Sequence, residues 1–284
     1  MLSYYYPISE NDLTYSLDML RFKFKIVQDS CFSIINYLES FSHKHTFSSK
    51  PFNYRELFTI YINNDASFSV GLCFNGLSKK DFFNCFIQFN PNKTGYSREL
   101  SKVLLYLRSC WTDCELVNYD IAIDIPCKRS EVFLQKDRRV HKKFSYDATG
   151  ENVTEYLGVD SGFGRCKLYN KTIESKLDYT LTRLEVTSDK IDYELFMSQF
   201  PDVSFFRDLD IFDYVKLSKT DLVLLKLLSM SDDPLFYFRQ LGKDKQKTLQ
   251  PFLFVGASRV GISRATFDRL MRQIKFFKTN QDFS

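Results

Sequence analysis

The sequence is poor in histidine and tryptophan, with three His and one Trp among 284 residues, and its seven cysteines stand far apart. No two cysteines form a CxxC pair, and none has a histidine nearby at zinc-ligand spacing, which argues against a structural zinc site. We therefore expect reduced thiols, as in a cytoplasmic protein, and no framework of disulfides.

An apolar run long enough to span a bilayer is also absent, and the N-terminus has no basic region followed by an apolar one. These absences predict a chain that is neither secreted nor embedded in a membrane. The sequence has no P-loop, dinucleotide-binding fingerprint, GxSxG elbow or HExxH motif. Nucleotide hydrolysis, hydride transfer and metalloprotease chemistry are therefore without a supporting motif.

Aromatic residues are abundant instead, with 29 Phe and 17 Tyr, and many of them alternate with polar residues. That mixture favours strands with one solvated face. The 44% of hydrophobic and 26% of charged residues are typical of a folded globular protein. The net charge of +4 permits contact with a polyanion without demonstrating it.

Period-two alternation, apolar runs and turn residues predict strands through most of the chain up to Asp208. The predicted strands are Arg21 to Ile26, Arg55 to Asn63, Ala66 to Asn75, Phe82 to Phe89, Leu116 to Ile125, Val153 to Leu157, Gly164 to Tyr169 and Leu181 to Val186. Apolar residues at helical spacing, and residues that cap helices, predict helices elsewhere. These cover Asp29 to Phe41 and begin near Ser97, Ser218, Pro234 and Arg264.

The fold class that follows is α+β, with a mainly antiparallel central sheet, helices on one face and a C-terminal helical domain. A winged-helix-like arrangement is one candidate for that last domain. The expected division is 1–208 for the α+β domain and 209–284 for the helical one. Within the first, 1–112 forms the N-terminal half and 113–190 carries the strands with chemistry.

Two carboxylates lie on one predicted strand, at Asp120 and Asp124. Because side chains alternate along a strand, both share a face with Ala122 between them, and the isoleucines point to the core. Two acids on one face repel each other and lose solvation, and a divalent cation relieves both costs. The alternative is a solvated strand edge.

A tyrosine among cations follows at Tyr169, which alternation places on one face with Arg165, Lys167 and Lys171. Positive charge nearby favours the phenolate that an attack on phosphorus needs, and it would also hold the phosphate. The alternative is a lysine-rich edge strand with an amphipathic tyrosine.

A third carboxylate is Glu185, which shares a strand face with Arg183. Together with the two aspartates it could bind Mg²⁺ or Mn²⁺ and polarise a phosphodiester for displacement by Tyr169. The histidine pair His43 and His45 is a poor substitute, because Lys44 separates the two and polar neighbours indicate a loop.

Taken in order, four segments resemble the replication initiation factors of Gram-positive rolling-circle plasmids and of filamentous phages. They are Asp120 to Asp124, Glu155 to Gly158, Gly164 to Lys171 and Leu181 to Val186. The resemblance covers roughly the middle third of the chain and is clearest in the segments that hold Tyr169 and Glu185. It implies a nickase in which Tyr169 forms a 5′-phosphotyrosine link and acidic residues bind the metal, with Asp124 and Glu185 as ligands and Asp120 as a further one.

The expected function is therefore initiation of rolling-circle replication by nicking and later religating single-stranded origin DNA, whether free or in an extruded hairpin. A host helicase and a second copy of the chain are candidate partners. One alternative is a DNA-binding replication or transcription regulator without catalysis. Another is a relaxase of an integrative conjugative element, which shares the chemistry and differs in its target.

The last predicted helix carries Arg264, Arg269 and Arg272 on the face opposite its apolar stripe. We expect these residues, together with Arg165, Lys167, Lys171 and Arg183, to contact DNA phosphates. The helix could lie in a major groove. The alternative is a surface helix packed on the main domain.

Overall fold

The computed structural model describes residues 12–26, 30–47, 56–73, 85–129, 132–134, 142–146, 153–158, 164–201, 203–205, 217–231, 234–253 and 260–279. The strands in these segments are β1 Thr14–Ile26, β2 His43–Phe47, β3 Glu56–Tyr61, β4 Ser67–Leu72, β5 Cys85–Phe89, β6 Trp111–Ile125, β7 Val132–Leu134, β8 Lys142–Tyr146, β9 Val153–Leu157, β10 Cys166–Asn170, β11 Thr182–Ser188 and β12 Val203–Phe205. The helices are α1 Cys31–Glu39, α2 Pro91–Thr94, α3 Arg98–Cys110, α4 Lys171–Ser175, α5 Tyr193–Ser198, α6 Lys219–Met230, α7 Pro234–Gln240, α8 Lys243–Leu253 and α9 Arg264–Thr279.

The α+β prediction is confirmed, because these strands form a large sheet with the order β2-β3-β4-β5-β1-β6-β11-β10-β9-β8. The pairs β2–β3, β3–β4, β4–β5, β5–β1, β8–β9, β9–β10 and β10–β11 are antiparallel. A separate antiparallel pair joins β7 to β12. Parts of the predicted strands at 55, 74–75 and 82–84 lie outside the described residues.

The chain divides into two compact units, and the division differs from the predicted one at 208. Unit A is formed by Ser16–Ile121, Thr187–Ile191 and Arg264–Ser284, and unit B by Met1–Tyr15, Ala122–Val186 and Asp192–Ser263. The helices after residue 208 therefore do not form one domain, since α6, α7 and α8 belong to unit B and α9 to unit A. The physical reason is that α9 packs its apolar stripe into the core of unit A.

Unit A begins with the predicted hairpin of β3 and β4, whose register runs from Glu56 opposite Leu72 to Tyr61 opposite Ser67. Its turn is held by Asn63, whose Oδ1 accepts hydrogen bonds from the backbone N–H groups of Asp65 and Ala66. An asparagine side chain that mimics a backbone acceptor in this way is typical of tight turns.

The histidine pair of unit A corrects the prediction of a loop, because His43 and His45 lie on strand β2, which pairs with β3. The His45 ring stacks on Phe58 with ring centroids 4.0 Å apart, and its Nε2 lies 2.6 Å from a Glu56 carboxylate oxygen. Strand pairing and ring stacking therefore outweigh the polar character of the neighbouring residues.

Helix α3 begins as predicted, because the Ser97 side chain accepts a hydrogen bond from the Leu100 backbone N–H. Its leucines are buried in unit A, where α9 also packs. Phe277 of α9 lies edge-on to Phe89 of β5, with centroids 4.8 Å apart, and stacks on Tyr96 at 5.2 Å. The predicted apolar stripe of α9 is thus a packing face, as in the second of the two predicted alternatives.

Unit B is organised around a buried carboxylate on β9. Glu155 is 0% exposed, and its Oε1 accepts hydrogen bonds from Arg129 at 2.6 Å and from Arg239 of α7 at 2.7 Å. Its Oε2 accepts a hydrogen bond from the Leu134 backbone N–H at 3.0 Å. One side chain therefore ties β9, the β7 segment and α7 together, and a buried charge is tolerated because both its oxygens have partners.

The predicted cap at the start of α6 is also present in unit B. The Asp221 backbone N–H donates to the Ser218 hydroxyl oxygen, and that hydroxyl donates to the Asp221 carboxylate. Lys245 of α8 donates to the other oxygen of the same carboxylate at 2.6 Å. These hydrogen bonds, from Lys245 first and then Ser218, lower the pKa of Asp221. The carboxylate thereby links α6 to α8.

Of the helices described, none combines the length and the apolar character that crossing a membrane requires.

Replacing Glu155 tests how much unit B depends on this carboxylate. The substitution Glu155→Ala leaves Arg129 and Arg239 buried without their shared counter-ion, so we expect a loss of about 3–5 kcal/mol in the free energy of unfolding. Urea titration measures the loss. The control is Asp268→Asn, which removes the carboxylate of an ion pair with Arg264 that is 47% exposed and should cost less than about 1 kcal/mol. Equal losses in the two variants would contradict the prediction.

Candidate active site

The register of β10 with β11 brings the main predicted residues together in unit B. Tyr169 lies opposite Arg183, and Lys167 lies opposite Glu185. Residues directly opposite in an antiparallel pair point to the same side of the sheet, and so do alternate residues along one strand. All four side chains therefore share one face, as the alternation in the sequence predicts.

Tyr169 is the centre of this group. Its ring is only 5% exposed, and its hydroxyl donates a hydrogen bond of 2.5 Å to the Glu185 Oε1. The Lys167 Nζ lies 3.9 Å from the centroid of the ring, and the Lys171 Nζ lies 5.9 Å from it. The structure thus places two of the predicted cations close to the phenol, and the lysine stems cover apolar surface of the ring.

The electrostatics of this phenol correct one expectation. Burial, followed by the charge of Glu185 and its hydrogen bond, raises the pKa of Tyr169, and Arg183 lowers it by less. Cations nearby therefore do not make a phenolate here, because desolvation and the carboxylate outweigh them. In this arrangement the tyrosine is held neutral, and its proton points at the group that can accept it.

Asp124, at the end of β6, is held by Arg183. The Arg183 Nε donates to Oδ1 at 2.6 Å and Nη2 donates to Oδ2 at 2.8 Å, a two-pronged geometry that fixes both side chains. Both are mostly buried, with side-chain exposures of 16% for Asp124 and 11% for Arg183. The two predicted ligands in unit B, Asp124 and Glu185, are thus each engaged by a neighbour on the site face.

The donor chemistry of this pair suits a divalent cation, since carboxylate oxygens are the ligands that Mg²⁺ and Mn²⁺ prefer. The third predicted ligand does not complete the set: Asp120 is four residues before Asp124 on β6, and strand geometry separates their Cα atoms by about 13 Å. That span is too long for two aspartates to hold one ion. Across the described segments, His, Cys, Asp and Glu side chains form no group of three or more that is arranged to bind a metal.

The other predicted phosphate contacts lie in different places. Arg165 is exposed and directly precedes β10, and Lys171 opens α4, where its Nζ lies 2.5 Å from a Glu174 carboxylate oxygen. The remaining three, Arg264, Arg269 and Arg272, are exposed on α9 and belong to unit A.

Two features escaped prediction. Tyr156 of β9 lies opposite Lys167 of β10, so it shares the face of Tyr169, and it is half-buried. The alternation of Val153 to Leu157 was the signal that could have revealed it. The other is the pairing of Glu155 with two arginines, for which the sequence offers no signal, because Arg239 is 84 residues away from its partner.

Comparison with known proteins gives a consistent direction. A curated protein of Staphylococcus aureus named "Replication initiation protein" is 25% identical over 122 residues, which cover 39% of this chain and 38% of that protein. The match thus spans well under half of the length of that relative. It confirms the resemblance to replication initiators at the level of the family. No family model matches the chain.

Among solved structures, a rolling circle replication initiator protein from Geobacillus stearothermophilus is 14% identical to the chain. The alignment covers 75% of this chain and 96% of that one, with a TM-score of 0.41. A likeness in fold at this level assigns no function.

The contribution of Glu185 to the state of Tyr169 can be measured directly. In Glu185→Gln the carboxylate charge is lost and only burial still raises the pKa strongly, so the pKa of Tyr169 should fall toward its ordinary value. The measurement is NMR titration of ¹³C-labelled tyrosine from about pH 8 to about pH 11, with the resonance assigned by its loss in Tyr169→Phe.

The same shift has a sign in stability. Because the folded chain keeps the Tyr169 proton more tightly than the unfolded one, its contribution is complete below about pH 10 and is lost as the pH rises further. In Glu185→Gln that loss should begin at lower pH. An unchanged Tyr169 titration in Glu185→Gln would show that the hydrogen bond does not govern the phenol.

Proposed function

We propose that this chain initiates rolling-circle replication by nicking one strand of single-stranded origin DNA through Tyr169. The protein stays joined to the 5′ phosphate and later rejoins the ends. The observation that carries the proposal is the hydrogen bond from the Tyr169 hydroxyl to Glu185, set beneath two lysines on a face with Asp124 and Arg183. A nucleophile within reach of its base, with cations around it, is the arrangement that displacement at phosphorus requires.

The proton and bond changes follow from this geometry. Glu185 accepts the Tyr169 proton as the phenol oxygen forms its bond to phosphorus. The bond from phosphorus to the 3′ oxygen of the preceding nucleotide breaks, and that oxygen takes up a proton to leave as a 3′ hydroxyl. In religation the 3′ hydroxyl attacks the phosphotyrosine, loses its proton, and the phenol oxygen is released and protonated again.

The charge that builds up on phosphorus during this exchange needs cations. Lys167 and Lys171 stand at the ring of Tyr169, so their ammonium groups are positioned for the non-bridging oxygens of a phosphate brought to the hydroxyl. Arg183 faces the same place and presents a planar guanidinium suited to phosphate. It contacts a phosphate only after giving up at least one of its two bonds to Asp124.

A divalent cation, Mg²⁺ or Mn²⁺, belongs to the proposal, with Asp124 and Glu185 as the residues that would hold it. When bound it would polarise the phosphodiester as a Lewis acid. Glu185 has a second oxygen, Oε2, beyond the one that accepts the Tyr169 hydrogen bond, and this oxygen lies 3.5 Å from the Lys167 Nζ. One carboxylate can therefore face a cation and the phenol with different oxygens.

The covalent link is the decisive test of the proposed nickase. Wild type, Tyr169→Phe and a matched control, Tyr179→Phe, are incubated with labelled single-stranded oligonucleotides from the origin of the native replicon in Mg²⁺ or Mn²⁺. Tyr179 is 57% exposed, so its hydroxyl is not part of the buried group. Denaturing gels should show an adduct with wild type and Tyr179→Phe and none with Tyr169→Phe.

Two results would overturn the proposal. One is an adduct that persists in Tyr169→Phe, which would place the link on another residue. The other is a folded wild type that binds the strand and never forms an adduct with either metal. In that case a DNA-binding regulator without catalysis would be the better account.

The metal is tested separately by Mn²⁺ binding, followed through the electron paramagnetic resonance of the free ion. We expect Asp124→Asn and Glu185→Gln each to weaken binding about tenfold or more, because each removes one charged oxygen ligand. Asp178→Asn is the control, since Asp178 is an exposed residue of unit B. Affinity that is equal in all three variants would remove Asp124 and Glu185 from the ligand set.

A further inference from the structure

The exposed side of α9 in unit A is strongly cationic. Arg269, Arg272 and Lys275 are exposed and follow one another at three-residue spacing, which keeps them within an arc of about 120° around the helix. The opposite side of α9 is buried through Phe267, Leu270 and other apolar residues. The helix therefore cannot turn these cations inward, and they remain available at the surface.

A second set of cations lies on the neighbouring elements α2 and α3. Lys93, Arg98 and Lys102 are exposed. The two helices are packed together, since Tyr96 contacts Phe276 with centroids 4.9 Å apart and Arg108 donates a hydrogen bond to the Phe277 carbonyl. Cations from two adjoining helices thus share one region of unit A.

The balance of charge in this region exceeds that of the whole chain. Residues 91–110 and 264–279 hold nine basic and two acidic residues, a net charge of +7, whereas the whole chain carries +4. The rest of the chain is therefore net negative by three charges. One of the two acids, Asp268, is paired with Arg264 on the same helix. The positive charge of this protein is concentrated on one surface and not spread evenly.

We infer that this surface, formed by the exposed faces of α2, α3 and α9, binds the phosphate backbone of double-stranded DNA without reading its sequence. A polyanion is the partner that a dense set of exposed Arg and Lys fits, because each contact releases counter-ions. The inference extends the proposed function, which concerns one strand, to the duplex form of the same substrate. It rests on unit A alone and not on Tyr169.

The side chains on this surface favour a duplex backbone over the two other modes of binding DNA. Single-stranded DNA is held largely by stacking on aromatic rings. In the described parts of these helices and their short connection the exposed ring is Tyr96, which is packed against Phe276 and Phe277. Base reading in a groove draws on amide side chains as well as Arg. The exposed positions of α9 are Arg and Lys apart from Ala265.

The salt dependence of binding tests the inference on the full chain. A short labelled duplex of random sequence is titrated between about 50 mM and about 200 mM salt with fluorescence anisotropy as the readout. In the triple variant Arg269→Gln, Arg272→Gln, Lys275→Gln, three phosphate contacts are lost. The slope of log affinity against log salt should become shallower by about 2.7, at about 0.9 for each contact.

The matched control removes the same charge from elsewhere. Lys219→Gln, Lys243→Gln, Lys247→Gln alters three exposed lysines on α6 and α8 of unit B and should leave the slope within about one contact of wild type. Arg98→Gln with Lys102→Gln, on α3, should reduce the slope by about 1.8. If the unit B triple variant lowers the slope as much as the α9 variant does, binding follows net charge and the inference is overturned. It is likewise overturned if wild type does not bind the duplex.

The adduct assay separates this inference from the proposed function. The α9 triple variant should form the phosphotyrosine adduct on single-stranded oligonucleotide as wild type does, which also shows that it folds. If no protein forms an adduct while the α9 variant still loses duplex affinity, the nickase proposal fails and the duplex surface stands. If the α9 variant forms adducts and keeps the wild-type slope, the reverse holds.

Discussion

The antiparallel register of β10 and β11 is the constraint on which the candidate site depends. It sets Tyr169 against Arg183 and Lys167 against Glu185, so a phenol, a carboxylate and two cations meet on one side of the sheet. A slip of one residue would turn all the side chains of one strand to the other side and break up the group. The core residues between them, Leu168 and Leu184, are 0% exposed, and their burial opposes such a slip.

The sequence is sufficient for the faces of these strands and insufficient for the contacts between side chains. Alternation alone predicts that Lys167 and Tyr169 share a face, and the caps at Ser97 and Ser218 follow from local residue types. The bond from Tyr169 to Glu185 depends on which strands pair, and strand pairing is set by the packing of the whole sheet. For this reason the expected phenolate was wrong, since cations near in sequence were visible and the carboxylate across the strand was not.

The helices after residue 208 show the same limit. Their amphipathic patterns and caps are local and were predicted, whereas their grouping into one domain was not correct. An apolar stripe says that a helix packs against something and does not say against what. In α9 the partners are Phe89 and Tyr96 of unit A, and in α7 the partner of Arg239 is Glu155 of unit B. Both sets of contacts join residues far apart along the chain.

A phenol that is buried and bonded to a carboxylate also bears on selectivity. A cell contains an enormous excess of phosphodiesters over the one that a replication initiator should cut. A tyrosine kept permanently ionised would be a standing hazard to all of them. A neutral Tyr169 that is 5% exposed is chemically latent, and only a strand that displaces its covering and settles against the hydroxyl can draw the proton away. On the proposed function, fidelity would then begin with the inertness of the resting protein.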